Sequence, residues 1–379
     1  MLRMGYKCTT PDLGNNLTAA RMTTQKQDAL AKQATGKGHG VLGAFNAAAN
    51  PPAPTPGEFF LALRSGTIEE IRDMIARKAN VNAQDAVGDT PLILAVRDGR
   101  HDVVALLLEA KADPNLKNHL LLHPLILAVT DKDEQMATLL LEKGADPNAA
   151  ADDDISTLIV AAEAGAEGIV RKLLEHKARP DFADNSGNTA AYSAVFHGHK
   201  GVLRILKEFK ANLDVRNEER VSLLDHVIWK KRDDAMFDLL VELGADLLAS
   251  NDNNTSHVHR AAEANNDYAL GKLVAAGADL TKADGRGHTP LISAAINGSG
   301  KAAKILLDQG VPLEGPHADR HSPRRHAELK GHTHVVNLID AEAGRRVQAS
   351  IIADLGKGVK GGVAAPKRAS FKKKQGQVP

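Results

Sequence analysis

The sequence predicts an all-α solenoid in which helix–turn–helix units stack in one row and hairpin loops project from one edge. Three observations predict it. A small residue recurs at Ala62, Ala95, Ala128, Ala161 and Ala194, each 33 residues after the last, and the same spacing returns at Ala261, Ala294 and Ala327. Leucine pairs keep the period at Leu106-Leu107, Leu139-Leu140, Leu173-Leu174, Leu239-Leu240 and Leu306-Leu307. The chain is 43% hydrophobic but only 3% aromatic, which suits helices packed through alanine and leucine and argues against a β-sandwich. A fixed period of this length marks a repeat array whose units bury their apolar faces on one another.

The stretch from Gly88 to Asn115 shows each part of the unit. Thr90 stands where a hydroxyl accepts an orphan amide at a helix start, as do Ser156, Thr189, Ser222, Ser256, Thr289 and Ser322. Pro91, Pro124, Pro290 and Pro323 follow at the first helical position, where a missing N–H is harmless. Leu92 and Ala95 share one face of the first helix, and the alanine lets neighbouring helices approach closely. Gly99, Gly165, Gly198, Gly298 and Gly331 fall between the two helices, where a positive φ is needed. Val103, Val104, Leu106 and Leu107 form the apolar stripe of the second helix. Asp85, Asp184 and Asp284 precede the caps at the hairpin loop, with Gly88, Gly187 and Gly287 at its tight turn.

Two units break the pattern. The second replaces the polar, glycine-containing loop and hydroxyl cap with Asn118-His119-Leu120-Leu121-Leu122-His123. The fifth lacks the glycine turn, carries Lys230-Lys231-Arg232, and places Trp229 near the small-residue position. Ala194 and Ala261 are 67 residues apart, so this unit also holds one inserted residue. Local rules fail most often at functional or strained sites; drift is the bland alternative.

These residues together, from the Thr90-Pro91-Leu92 start to the closing Ala112-Asp113-Pro114-Asn115, resemble an ankyrin repeat. Residues 57–345 resemble eight such repeats plus an N-terminal partial unit. The resemblance implies an ankyrin-repeat solenoid that binds a protein on its concave face, through loop tips and exposed positions of the first helices. In this sequence those positions are Val87, Asp89, Arg97, Asp98, His119, Leu120, Leu122, Thr130, Asp131, Asp153, Asp154, Phe196, His197 and Lys230. The second to fifth units are the favoured segment. Leu120, Leu122 and Phe196 offer apolar anchors ringed by charge, as in an interface hot spot. Otherwise Leu120 to Leu122 pack on the adjacent loop. Trp229 is expected in the core.

The flanks read differently. Residues 1–56 are expected to be disordered and end in the Pro-rich linker Pro51 to Pro56. Residues 346–379 are expected to form a short helical extension, with Val347, Ile351 and Leu355 four apart over the end of the array, and then a flexible basic tail. The net charge of +1 divides into +4 over residues 1–57, +7 over 356–379 and −10 between them. The tail can be a solubilising end, a contact for nucleic acid or an anionic membrane, or an export signal.

No catalytic signature or cofactor motif appears. Cys8 is the only cysteine, so neither an intramolecular disulfide nor a Cys-based metal site is available. The His-x-His pairs His197/His199, His257/His259 and His332/His334 lie in different units and lack a third ligand at metal spacing. The resemblance implies that His199 and His332 belong to a structural turn and that His259 braces a loop. Gly298-Ser299-Gly300-Lys301 lacks the upstream glycine and following hydroxyl of a phosphate loop. No apolar run approaches the ~20 residues of a membrane helix. The expectation is a monomeric, cytoplasmic, non-catalytic scaffold that takes no metal or cofactor and binds a protein partner. The alternative is a secreted bacterial effector exported through its basic tail to act on host proteins.

Overall fold

The structure is a computed structural model and describes residues 52–230, 233–314 and 322–358. Expectations for residues 1–51 and for the basic tail from 359 onward lie outside the described residues. The described residues hold 18 α-helices, arranged as nine consecutive pairs, and no strand longer than an isolated bridge. The first three pairs are α1 (Pro56–Ser65) with α2 (Ile68–Ala76), α3 (Pro91–Arg97) with α4 (His101–Glu109), and α5 (Pro124–Thr130) with α6 (Glu134–Glu142). Next come α7 (Thr157–Glu163) with α8 (Glu167–Glu175), α9 (Ala190–His197) with α10 (Lys200–Glu208), and α11 (Leu223–Lys230) with α12 (Asp234–Glu242). The last three are α13 (His257–Glu263) with α14 (Asp267–Ala275), α15 (Pro290–Asn297) with α16 (Gly300–Asp308), and α17 (Pro323–Leu329) with α18 (Thr333–Gly358).

The local rules read from the sequence operate in space. Thr90, Ser156, Thr189, Thr289 and Ser322 each accept the amide three residues on, at 3.1–3.4 Å. The 33-residue alanines are buried, from Ala62 at 8% exposure to Ala161, Ala194, Ala261, Ala294 and Ala327 at 0%. Gly99, Gly165, Gly198, Gly298 and Gly331 take φ between 65 and 81°. Where the second and sixth units have no glycine at that turn, Lys132 and Asn265 take the left-handed conformation instead.

Stacking adds bonds that no single unit contains. Asn82, Asn115, Asn148, Asp181 and Asp214 stand 33 residues apart, and the Oδ1 of each accepts the amide 31 or 32 residues later, at 2.7–2.8 Å. The next position in this series is Leu248, an exposed aliphatic with no oxygen to offer. Four of the loops are closed on themselves by antiparallel bridges, among them Ala183 with Thr189 and Arg216 with Ser222.

Three expectations change. In the fifth unit Val227 fills the small-residue position and is buried, while Trp229 is 40% exposed rather than in the core. From Val227 to the cap residue Asp233 is six residues, against five from Ala194 to His199, so the insertion falls in the turn between α11 and α12. Among the described residues no separate helix lies over the end of the array. α18 runs for 26 residues straight out of the last unit, and Val347 and Ile351 on it are 59% and 54% exposed. No helix of the described residues is long and apolar enough to cross a membrane.

Candidate protein-binding surface

Two rows of positions carry the candidate residues. One runs along the loop tips. The amide of His119 donates to the Val87 carbonyl at 3.1 Å, that of Asn185 to Asp153 at 3.1 Å, and that of Glu218 to Ser186 at 3.0 Å. Successive loops are thus tied tip to tip. The other row is the last turn of each first helix, where Arg97, Thr130, Glu163, Phe196 and Trp229 recur every 33 residues. The helices that carry them pack consecutively, so the row is continuous.

The second loop departs from its siblings in the way its sequence suggested, but with a different residue outward. Leu120 and Leu121 are 57% and 45% exposed, whereas Leu122 is buried at 7%. Asn118 decides this: its Oδ1 accepts the Leu120 and Leu122 amides, both at 3.0 Å, and folds the tip over itself. Leu121 takes φ 60° at the position where Gly88 and Gly187 take φ near 80°. That conformation crowds a Cβ, so a leucine there is strained. Leu122 therefore leaves the surface set and Leu121 enters it. His119 is exposed, yet it lies so close over Gly88 that an added Cβ would stand 2.6 Å from its ring.

Asp89 also leaves the set. It is 1% exposed, held by Arg97 Nη2 at 2.7 Å and by the Asn118 amide nitrogen at 2.8 Å. A carboxylate buried this deeply needs such partners, and here they lock the first loop to the second. Arg97 is half-buried because it serves Asp89. Thr130 spends its hydroxyl on the Ile126 carbonyl at 2.7 Å. Val87 is half-buried, and Asp98, Asp131, Asp153 and Asp154 are exposed acids along the two rows. Lys230 ends α11.

Around the fifth unit the first helices carry an aromatic and histidine cluster. Phe196, half-buried, packs 5.3 Å from the His226 ring and 5.0 Å from that of His197. The Tyr192 hydroxyl bonds His226 Nδ1 at 3.2 Å. His197 is exposed, and its Nδ1 donates to the Ser193 carbonyl at 3.0 Å. Trp229 sits one repeat beyond Phe196 at the equivalent helix position, with the Arg260 guanidinium 5.5 Å from its ring centre. Sequence reasoning missed the exposure of Trp229, although its 33-residue offset from Phe196 was the available signal.

Behind this cluster lies a buried ionic junction between the fifth and sixth units. Asp225 is 2% exposed and contacts Arg216 Nη1 and His257 Nδ1, each at 2.9 Å. Burial alone raises its pKa. The hydrogen bond and charge of His257, the Ser222 amide and the charge of Arg260 outweigh that and bring it to about 2.

Three further histidines have structural partners. His199 Nε2 donates to the Glu163 carbonyl at 2.9 Å and His332 Nε2 to the Ile296 carbonyl at 3.1 Å, each one repeat back. His259 braces the next loop through the His288 carbonyl at 3.0 Å. Among the described residues no three or more His, Cys, Asp or Glu side chains are grouped as a metal site would need.

The family model described as ankyrin repeats (3 copies) matches residues 59–151, 125–219, 158–251, 224–314 and 258–348. The chain belongs to the ankyrin-repeat family. The ankyrin array is similar to the crystal structure of the ankyrin repeat domain of Bcl-3, described as a unique member of the IkappaB protein family. The two share 28% identity with a TM-score of 0.53, over 58% of this chain and 98% of that one. A search of curated proteins gave no match. Ankyrin repeats are generally protein–protein interaction modules.

Proposed function

We propose that the array is a non-catalytic scaffold that binds a partner protein through its loop tips and first helices, with anchors in the second to fifth units. One observation carries this reading: Leu120, Leu121 and Trp229 are 57%, 45% and 40% exposed in units whose other large apolar side chains are mostly buried. An aliphatic tip and an aromatic on the binding rows, flanked by the exposed acids Asp98, Asp131, Asp153 and Asp154, form apolar anchors with a charged rim. The acids favour a partner with basic residues around its apolar contacts and a salt-dependent association rate.

The test is affinity capture from the native cell with residues 52–358 as bait, comparing wild type with Leu120→Ser/Trp229→Ala. A partner retained by wild type and lost from the variant supports the reading, provided both baits melt at the same temperature. An identical set of captured proteins refutes it.

A further inference from the structure

The ties between successive loop tips are interrupted beside the exposed leucines. Four ties share one register: the amides of His119, Asn185, Glu218 and Gly285 donate to the carbonyls 32 residues earlier, those of Val87, Asp153, Ser186 and Asn253. Between the second and third loops the same register calls for the Asp152 amide on the Leu120 carbonyl. Among the described residues that bond is absent, and neither group makes another backbone bond. Asp153 and Asp154 both take φ 56°, where the first and fourth loops have a single left-handed residue, Gly88 or Gly187. The extra left-handed residue winds the third tip into a short turn over Asp152–Asp154. The fifth and sixth loops lack the bond too, but there Arg220 Nη1 spans the pair to Asn253 Oδ1 at 3.3 Å. Between the second and third loops Lys117 Nζ reaches the Ala150 carbonyl at 2.6 Å, at the base of the loops rather than at their tips.

The interruption is apolar on one side and acidic on the other. Leu120 and Leu121 are 57% and 45% exposed, where later tips carry the polar Ser186, Glu219 and Asn253. Asp152, Asp153 and Asp154 are exposed, and none of them forms an ion pair among the described residues. We infer that the partner of the scaffold contributes a short extended segment here, with a large apolar residue on Leu120 and Leu121 and a lysine or arginine beside it on Asp152–Asp154. The inference rests on the scaffold reading and narrows it to one kind of partner. An extended segment carries backbone amides and carbonyls that complete the Leu120 carbonyl and the Asp152 amide, as strand addition does at a sheet edge. A helix bonds those groups within itself and has none to give along its length. The charge sets the neighbouring residue, because three adjacent carboxylates repel one another and a cation on them relieves that repulsion.

The experiment is selection of short random peptides displayed on phage against the full chain, followed by affinity measurements on labelled synthetic copies of the selected peptides. The selected sequences are expected to share a large apolar residue next to a lysine or arginine. Leu120→Ser/Leu121→Asn should weaken their binding at least about tenfold, as loss of hot-spot contacts does. Asp153→Asn/Asp154→Asn should weaken it about fivefold at low salt and remove most of its salt dependence. Asparagine tolerates the left-handed conformation that Leu121, Asp153 and Asp154 take, so both variants should melt as wild type does. Failure to enrich any peptide overturns the inference, as do selected peptides that are acidic or that bind both variants as tightly as wild type. So does binding that Trp229→Ala removes and Leu120→Ser/Leu121→Asn does not. Partner capture lost with Trp229→Ala but kept by the leucine variant overturns this inference and leaves the scaffold reading standing. Identical capture by every bait overturns the scaffold reading itself, so the two fail separately.

Discussion

Replacing His123 with threonine should remove a pH dependence from the stability of the second repeat. His123 occupies the cap of α5, where its Nδ1 accepts the Ile126 amide at 3.3 Å. Only an unprotonated ring nitrogen can accept that bond. The side chain is 1% exposed. Burial lowers its pKa from 6.5 to about 4, helped by the charge of Lys117 and opposed by the Ala149 carbonyl and Asp146. The unfolded chain therefore binds a proton between those values that the folded chain does not. The contribution of neutral His123 is fully present above pH 6.5 and is lost as the pH falls toward 4. At about 1.4 kcal/mol per unit, the loss is about 2 kcal/mol at pH 5 and about 3 kcal/mol near pH 4.

A threonine hydroxyl, as at Thr90 and Thr189, accepts the amide whatever the pH. The measurement is urea unfolding of wild type and His123→Thr from pH 7.5 to 5, with hydrogen exchange at the Ile126 amide as the local probe. Local exchange matters because stability along a repeat array is nearly a sum over neighbours. The cavity left by the smaller side chain shifts both ends of the pH range equally. The gap between the two proteins should move in favour of His123→Thr by about 2 kcal/mol on going to pH 5. A gap that stays constant over this range refutes the argument.

Three further outcomes follow from the same geometry. Asp225→Asn should destabilise the junction of the fifth and sixth units by about 3–5 kcal/mol at neutral pH, because Arg216 loses its buried counter-charge and His257 its carboxylate partner. Its folded pKa lies below the ordinary 3.8, so the stabilisation is present above that value and lost as pH falls toward 2; the difference from wild type in denaturant titrations should narrow below pH 4. Leu122→Ala should cost about 2–5 kcal/mol, while Leu120→Ser changes stability by less than about 0.5 kcal/mol; equal unfolding midpoints for the two variants would contradict the placement of the second loop. Leu121→Asn relieves a left-handed conformation worth about 1 kcal/mol, so it should leave thermal stability equal or higher while reducing partner capture, and a clear drop in melting temperature would count against the strain.

Much of this protein was legible in its sequence because an ankyrin unit is specified by local chemistry. Hydroxyl caps, prolines at the first helical position and glycine turns each act within a few residues, and their 33-residue recurrence identifies stacked helix pairs. The expectation for Asp89 failed for the complementary reason. Its environment is made by Asn118, 29 residues away in the next loop, which turns an apparent surface acid into a buried tie. The leucine tip failed similarly: three consecutive leucines look alike in one dimension, and the Asn118 side chain decides which one turns inward. Trp229, near the small-residue position, is expected in the core, but the inserted residue lies beyond it, so it keeps the helix position of half-buried Phe196 and faces outward.

The sequence by itself determined the unit, its period, the number of units and the two that deviate, since each of these is written in contacts between residues close along the chain. Only the tertiary structure decided which side chains of the deviant units face solvent and that Asp89 is a buried tie rather than a surface acid. Those outcomes depend on what the neighbouring repeat, some 29–38 residues away, places against them.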